Sequence, residues 1–155
     1  TFIKPRNKLR KEIINLTGIS NEMVEEAPTL KGGISNLVAF TGNSKIVAHS
    51  IYFEACWLLT ACIRHNIEIH GNPAVCTLHW AKKHNEESCS LKSLTKKYGI
   101  EHENTHRALD DAKAMKDLYF IYKNMNQVER PLRNIEEYRE VSLQLVEKHK
   151  KHFQP

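Results

Sequence analysis

The segment His106-Arg107-Ala108-Leu109-Asp110-Asp111-Ala112 carries the most chemical information in this chain. It places an imidazole, which exchanges protons near neutral pH, shortly before two adjacent carboxylates, which suit hard divalent cations. Apolar residues continue beyond it at helical spacing, so a long helix is predicted, capped by Asn104 or Thr105. An acidic pair is also common in a helix's first turn, because it faces the positive end of the dipole. Charge alone therefore leaves both Asp110 and Asp111 open as cation ligands.

Outward from this segment, apolar strands alternate with helices, which predicts an α/β fold. Buried strands are predicted at 45–49 and 74–78, separated by an amphipathic helix over 52–65. Residues 1–3 are predicted to end a further strand, because Pro5 follows them. The remaining predicted helices are 8–16 ending at Gly18, a short one capped by Ser20, 34–40 after the interruption Gly32-Gly33, 79–84, 91–98 and 132–152.

The composition is typical of one globular domain, with 155 residues of which 41% are hydrophobic and 26% charged. The net charge of +5 favours polyanionic partners. Basic residues concentrate at 4–11 and 148–151, and these clusters are either solvated terminal faces or phosphate contacts. No apolar run approaches the ~18 residues of a membrane span, and none follows the basic start. We therefore expect neither a membrane span nor a signal peptide.

The cysteine pattern indicates a reducing compartment. The chain has four cysteines and no C-x-x-C pair, and apolar neighbours surround Cys56 and Cys62. Buried thiols of this kind predict a cytoplasmic protein. A zinc-like spacing, formed by Cys76, His79, His84 and Cys89, is the competing interpretation; it is disfavoured because Cys76 falls inside a predicted strand.

Four segments, taken in chain order, resemble the motifs of one family. They are Thr17-Gly18-Ile19-Ser20 with Ala27-Pro28, Ile46-Val47-Ala48-His49-Ser50 with Phe53-Glu54, Leu91-Lys92-Ser93-Leu94 with Tyr98-Gly99-Ile100, and His106 to Ala112. Together they resemble the DEDD exonuclease superfamily in its histidine-containing branch. That branch includes the proofreading epsilon subunit of bacterial DNA polymerase III and the exonuclease region of PolC polymerases. The likeness extends from about Phe2 to Met125.

The resemblance implies a ribonuclease H-like mixed sheet flanked by helices, with the opening strands missing or incomplete. It implies hydrolysis of terminal phosphodiesters from the 3′ end, on single-stranded DNA or alternatively RNA, and a polymerase as a candidate partner. Two Mg²⁺ or Mn²⁺ ions would hold the phosphodiester and a histidine would act as general base.

Carried over residue by residue, the resemblance assigns a role to six positions. His106 is the general base, Asp111 is a metal ligand chosen over Asp110 by the motif spacing, and Glu54 stands at the carboxylate of the second motif. The nucleic-acid contacts are assigned to Gly18, Ile19 and His49.

Two departures from the family pattern bear on activity. The opening D-x-E motif is absent, and Glu54 and Ser50 stand where the second motif has Asp and Asn. Without the opening strands, the strand at 45–49 is expected to keep one unpaired edge. We therefore expect that these residues alone do not cleave. The alternative is a non-catalytic module of the same fold that binds nucleic acid or serves as a scaffold beside a polymerase.

The sequence also predicts a division of the chain. Residues 1–125 are expected to form the exonuclease-like domain and residues 126–155 a C-terminal amphipathic helix extension. The apolar stripe of that helix is expected to pack on its own domain; it consists of Ile135, Tyr138, Val141, Leu145 and Val146.

Overall fold

A computed structural model describes residues 1–102, 107–125 and 133–148 of the chain. Over these residues the fold is a small mixed sheet flanked by helices, as the α/β prediction requires. The elements in chain order are α1 (Lys11–Thr17), α2 (Asn21–Glu25), α3 (Leu30–Thr41), β1 (Ile46–Ala48), α4 (Ile51–His65), β2 (Pro73–Cys76), α5 (Thr77–Lys83), α6 (Leu91–Lys97), α7 (Ala108–Asn124), β3 (Arg133–Asn134), a 3₁₀ turn (Ile135–Tyr138) and α8 (Arg139–Lys148). In the described ranges, no helix is long and apolar enough to cross a membrane.

The sheet has the order β1-β2-β3. β1 and β2 are parallel, with Val47 opposite Val75, and β3 pairs with β2 in the antiparallel direction. Among the described residues β1 therefore has one partner and lies at an edge, which confirms the open edge expected from the sequence. Backbone donors and acceptors along such an edge can pair with another strand.

Both faces of the sheet are covered, because successive strand residues point to opposite sides. Ala74 and Cys76 join a core cluster built mainly on α4. Val75, between them, joins a second cluster with Trp80 and with Tyr122 of α7. The sheet thus separates α4 from α7. β2 is buried from Ala74 to Cys76, whereas in β1 only Ala48 is buried and the other two residues are half-buried.

The C-terminal segment packs on α4. Ile135 and Tyr138 are buried in the α4 cluster, which confirms their place in the predicted stripe. The hydroxyl of Ser142 in α8 donates to the carbonyl oxygens of Tyr138, at 2.8 Å, and Cys56, at 3.4 Å. The proposed division of the chain at residue 125 stays a prediction.

The N-terminal residues differ from the prediction. Residues 1–3 are not a strand, and the amide of Lys4 donates to the carbonyl of Pro28 at 2.8 Å instead of to a sheet. Gly33 lies inside α3 rather than interrupting it, and a Cβ atom there would come within 2.0 Å of Cδ1 of Ile3. A glycine inside a helix costs roughly 1 kcal/mol relative to alanine. The close approach of Ile3 explains why this position nevertheless carries a glycine.

Other predicted helix starts are also wrong: α1 begins at Lys11 and not at residue 8. α7 begins at Ala108 with Arg107 in the cap position, while Asn104 and Thr105 lie outside the described residues. The last helix begins at Arg139, because Asn134 accepts from the amide of Glu136 and starts a 3₁₀ turn instead. The predicted stop at Gly18 and the cap at Ser20 are confirmed.

Candidate functional site

The predicted site residues lie at the ends of helices and at the edge strand. Gly18 ends α1 with a φ of 66°, a left-handed conformation that suits glycine, and Ile19 follows it. His49 follows β1, Glu54 lies in the first turn of α4, and Asp111 lies in the first turn of α7. His106, the predicted general base, lies outside the described residues.

Asp111 is held by a histidine that the sequence reasoning did not select. Nε2 of His102 lies 2.6 Å from Oδ1 of Asp111. The His102 side chain is only 5% exposed, whereas that of Asp111 is 36% exposed. The pair therefore presents a carboxylate at the surface whose partner is buried beneath it.

Asp110, the competing carboxylate, has a different environment. It faces Lys113 at 3.4 Å, one helical turn away, and the Lys113 side chain is 62% exposed. Exposed pairs of this kind contribute little and hold a side chain loosely. The two adjacent carboxylates therefore have different partners, and the choice of Asp111 as the metal ligand stays a prediction.

Arg107 connects the start of α7 with the turn after α1. Its Nη1 donates to the carbonyl oxygen of Thr17 at 3.1 Å. A Cβ atom on Gly18 would lie 3.7 Å from the same nitrogen. The structure thus brings the predicted nucleotide turn beside the helix that carries Asp111, although the two are far apart in sequence.

His49 makes two internal contacts. Nδ1 lies 2.9 Å from Oγ1 of Thr77, and Nε2 lies 2.8 Å from the carbonyl oxygen of Cys89. Burial lowers the pKa of His49, and the contact with the Cys89 carbonyl opposes that shift. Both ring nitrogens thus have partners within the fold, and the predicted contact of His49 with nucleic acid stays a prediction.

Glu54 lies on the exposed face of α4. Its neighbours on that face include Phe53, which is 65% exposed, and Trp57, which is 49% exposed. Aromatic surface beside a carboxylate is able to stack with bases. The predicted role of Glu54 as a metal ligand stays a prediction.

The described residues do not fit a divalent ion by themselves. Within residues 1–102, 107–125 and 133–148, no three His, Cys, Asp or Glu side chains are close enough to hold a metal. Glu54 and Asp111, the two predicted ligands, therefore belong to no such group in this part of the chain. The zinc-like spacing forms no group either, since Cys76 is buried in β2 and His84 stacks on Tyr122 with ring centroids 5.3 Å apart.

Only a weak signal in the sequence could have identified His102. It lies one helical spacing before His106, in His-Glu-Asn-Thr-His, but the chain has 9 histidines and such spacings arise by coincidence. Its contact with Asp111 depends on α6 and α7 lying side by side, which is a tertiary relationship.

Comparison with known proteins identifies related sequences. The family model RNase_T, described as Exonuclease, matches residues 1–119. The DNA polymerase III PolC-type proteins of Latilactobacillus sakei subsp. sakei (strain 23K) and Clostridium perfringens (strain 13 / Type A) are each 33% identical to the chain, over 124 and 134 residues. These matches cover 79% and 82% of this chain but only 8% and 9% of the polymerases, so the chain spans a small part of those relatives.

A solved structure has the same fold. The structure titled Exonuclease X in complex with 5′ overhanging duplex DNA superposes with a TM-score of 0.61 at 17% identity. The match covers 90% of this chain and 78% of that one. The ribonuclease H-like fold class predicted from the motifs is therefore confirmed.

Proposed function

Because the chain belongs to the exonuclease family of the DEDD superfamily, we propose that it forms part of a 3′→5′ exonuclease acting on single-stranded DNA. The observation that carries this proposal is the junction at the start of α7. There Asp111 is held by His102 while Arg107 binds the turn after α1. A carboxylate and the candidate nucleotide turn thus lie near the same helix terminus, which supports the proposal.

The roles of the site residues follow from the family motifs. We assign His106 as the general base, which would take the proton of the attacking water. Asp111 and Glu54 are assigned as carboxylate ligands, and Gly18 and Ile19 as contacts of the terminal nucleotide. Mg²⁺ or Mn²⁺ is the cofactor of this proposal, since such ions polarise water and neutralise charge in phosphodiester hydrolysis.

We also propose that these 155 residues do not cleave DNA by themselves. Two carboxylates do not hold a pair of ions, and the described residues contain no group of three metal-ligating side chains. The absent D-x-E motif would supply further acidic ligands.

The test compares two proteins. One is the chain as it stands, and the other is a chimera in which the D-x-E segment of a PolC-type relative precedes Thr1. Each is incubated with DNA labelled at the 3′ or the 5′ end and with Mg²⁺, and released nucleoside monophosphates are quantified. Release from the 3′ end by the chimera, abolished by Asp111→Asn, supports the proposal. Full activity of the unextended chain contradicts the claim that it does not cleave by itself. An RNA substrate run in parallel decides between DNA and RNA.

The second candidate function is a non-catalytic module that binds nucleic acid or a polymerase. Glu54 favours it, because a glutamate in place of the expected aspartate moves the carboxylate by one methylene, and a displacement of about 1 Å costs roughly 10²-fold in rate. The change Glu54→Asp in the chimera separates the candidates. A large gain in release indicates a slow nuclease, whereas DNA binding without release in either form indicates a module.

A further inference from the structure

The ring of His102 is fixed in place on the side away from Asp111. Thr95 of α6 is almost completely buried, and its hydroxyl donates to the carbonyl of Lys92 at 3.0 Å. The same oxygen lies 3.5 Å from Nδ1 of His102. The imidazole therefore lies between α6 and α7, with little room to rotate.

The opposite nitrogen of that ring meets the carboxylate. A carboxylate offers only acceptors, so Nε2 of His102 is the donor in the 2.6 Å contact with Oδ1 of Asp111. Hydrogen bonds to ionised acceptors are among the shorter and stronger ones in proteins. A buried donor in contact with α6 thus binds one oxygen of a partly exposed carboxylate.

Such a donor restricts the conformations that Asp111 can adopt. An aspartate in the first turn of a helix can occupy more than one staggered χ1 rotamer. Because the His102 ring is packed against Thr95, its hydrogen bond favours the Asp111 rotamer that brings Oδ1 to Nε2 of His102. Asp110 is the internal comparison, because its partner Lys113 is exposed and lies at 3.4 Å.

We propose that His102 is a positioning residue, which holds the Asp111 carboxylate in a single orientation for the nuclease site. The role of Asp111 in this inference rests on the proposed function. The restriction of the Asp111 χ1 rotamer by His102 is independent of that function. Functional groups are commonly held by buried neighbours in this way, and the loss of such a neighbour typically lowers metal affinity by about 10–100-fold.

The experiment measures the rotamer of Asp111 directly. Three-bond couplings between the α and β protons of Asp111 are recorded by NMR for the wild-type chain, His102→Leu and His102→Gln. We expect one large and one small coupling in the wild type, averaged couplings in His102→Leu, and restoration in His102→Gln, whose amide nitrogen keeps a donor near the position of Nε2. The matched control is His84→Leu, which removes a histidine packed on the far part of α7. Unchanged couplings in His102→Leu overturn the proposal.

A second measurement covers the case in which His102→Leu does not fold. The Nε2–H resonance of His102 is compared between the wild type and Asp111→Ala. We expect its downfield shift and its protection from solvent exchange to be lost in Asp111→Ala. An identical resonance in both proteins overturns the proposal as well.

A Mn²⁺ titration of the chimera separates this inference from the proposed function. We expect half-saturation of wild type to require roughly tenfold less Mn²⁺ than that of His102→Leu, with His102→Gln restoring most of the difference. Equal or tighter binding by His102→Leu contradicts the positioning role. If the wild-type chimera binds no Mn²⁺, the proposed nuclease function fails, and the couplings of Asp111 still decide the role of His102.

Discussion

The guanidinium of Arg107 and the backbone carbonyl of Thr17 form a hydrogen bond of 3.1 Å between residues 90 positions apart in the sequence. Thr17 is the last residue of α1 and Gly18 ends that helix, so the bond fixes the turn against the start of α7. The side chain that comes directly after His106 therefore links the candidate nucleotide turn to the helix that carries Asp111.

We expect Arg107→Ala to release this turn. The hydrogen bond involves a charged donor, so its loss should destabilise the fold by roughly 1.5–3 kcal/mol, and the amides of Gly18 and Ile19 should exchange faster with solvent. Hydrogen exchange followed by NMR measures the effect. Arg10→Ala, at the other end of α1, removes an equal charge and serves as control; equal exchange rates in the two variants would contradict the assigned role.

The neighbouring glycines of α3 give a matched pair. Gly33→Ala would bring a Cβ atom within 2.0 Å of Ile3, whereas at Gly32 the nearest atoms lie 3.6 Å away. We expect Gly33→Ala to be less stable than Gly32→Ala by about 1 kcal/mol, because the end of the Ile3 side chain must leave its present position to admit the Cβ atom. Gly32→Ala should be neutral or slightly stabilising. Urea denaturation of both variants measures the difference, and equal midpoints would show that Ile3 moves aside freely.

Glu86 should contribute stability that depends on pH. Burial tends to raise the pKa of Glu86, but hydrogen bonds from Lys97 and Tyr98 outweigh it and lower the pKa overall. The native state then binds fewer protons than the unfolded state, so the contribution is present at neutral pH and is lost as the pH falls through the native pKa. We expect Glu86→Gln to lower the free energy of unfolding by roughly 1–3 kcal/mol at neutral pH, and the gap to narrow in acid. A gap that is constant with pH would contradict this.

His49 should also make the free energy of unfolding fall as the pH falls, at a higher pH than Glu86 does. Burial lowers its pKa in the native state, so the unfolded chain takes up a proton first as the pH falls below its ordinary value of about 6.5. Stability should therefore decrease from neutral to mildly acidic pH. We expect His49→Gln to reduce that slope, although the loss of the bond to Thr77 or to Cys89 lowers stability at neutral pH. Thermal unfolding at several pH values measures the slope, with His65→Gln on the end of α4 as control.

The sequence predicted the parts of the fold that local chemistry determines. The stop at Gly18 follows from the left-handed conformation that glycine adopts, and the buried strands follow from short apolar runs between turn residues. Gly33 could not be interpreted from local rules, because its reason is a contact with Ile3, thirty residues earlier in the chain. The last helix was extended too far, since the apolar stripe continues through a 3₁₀ turn.

The candidate site divides in the same way. The choice of Asp111 over Asp110 by the motif spacing stays a prediction, although the two carboxylates have different partners in the structure. His102 and Arg107 were not selected, because each acts across a contact between separate helices. The assignments of His106, Glu54, Gly18, Ile19 and His49 stay predictions until the variants above are measured.

The unequal burial of the two tryptophans provides optical probes of the fold. Trp80 is 3% exposed and stacks on Tyr119 with ring centroids 5.7 Å apart, while Trp57 is 49% exposed on α4. A soluble quencher such as iodide should therefore reduce the emission of Trp57 and leave that of Trp80. Trp80 lies on the α7 side of the sheet and Trp57 on the surface beside Glu54. Fluorescence measured with and without the quencher can therefore report separately on unfolding of the core and on any molecule that covers the exposed face of α4.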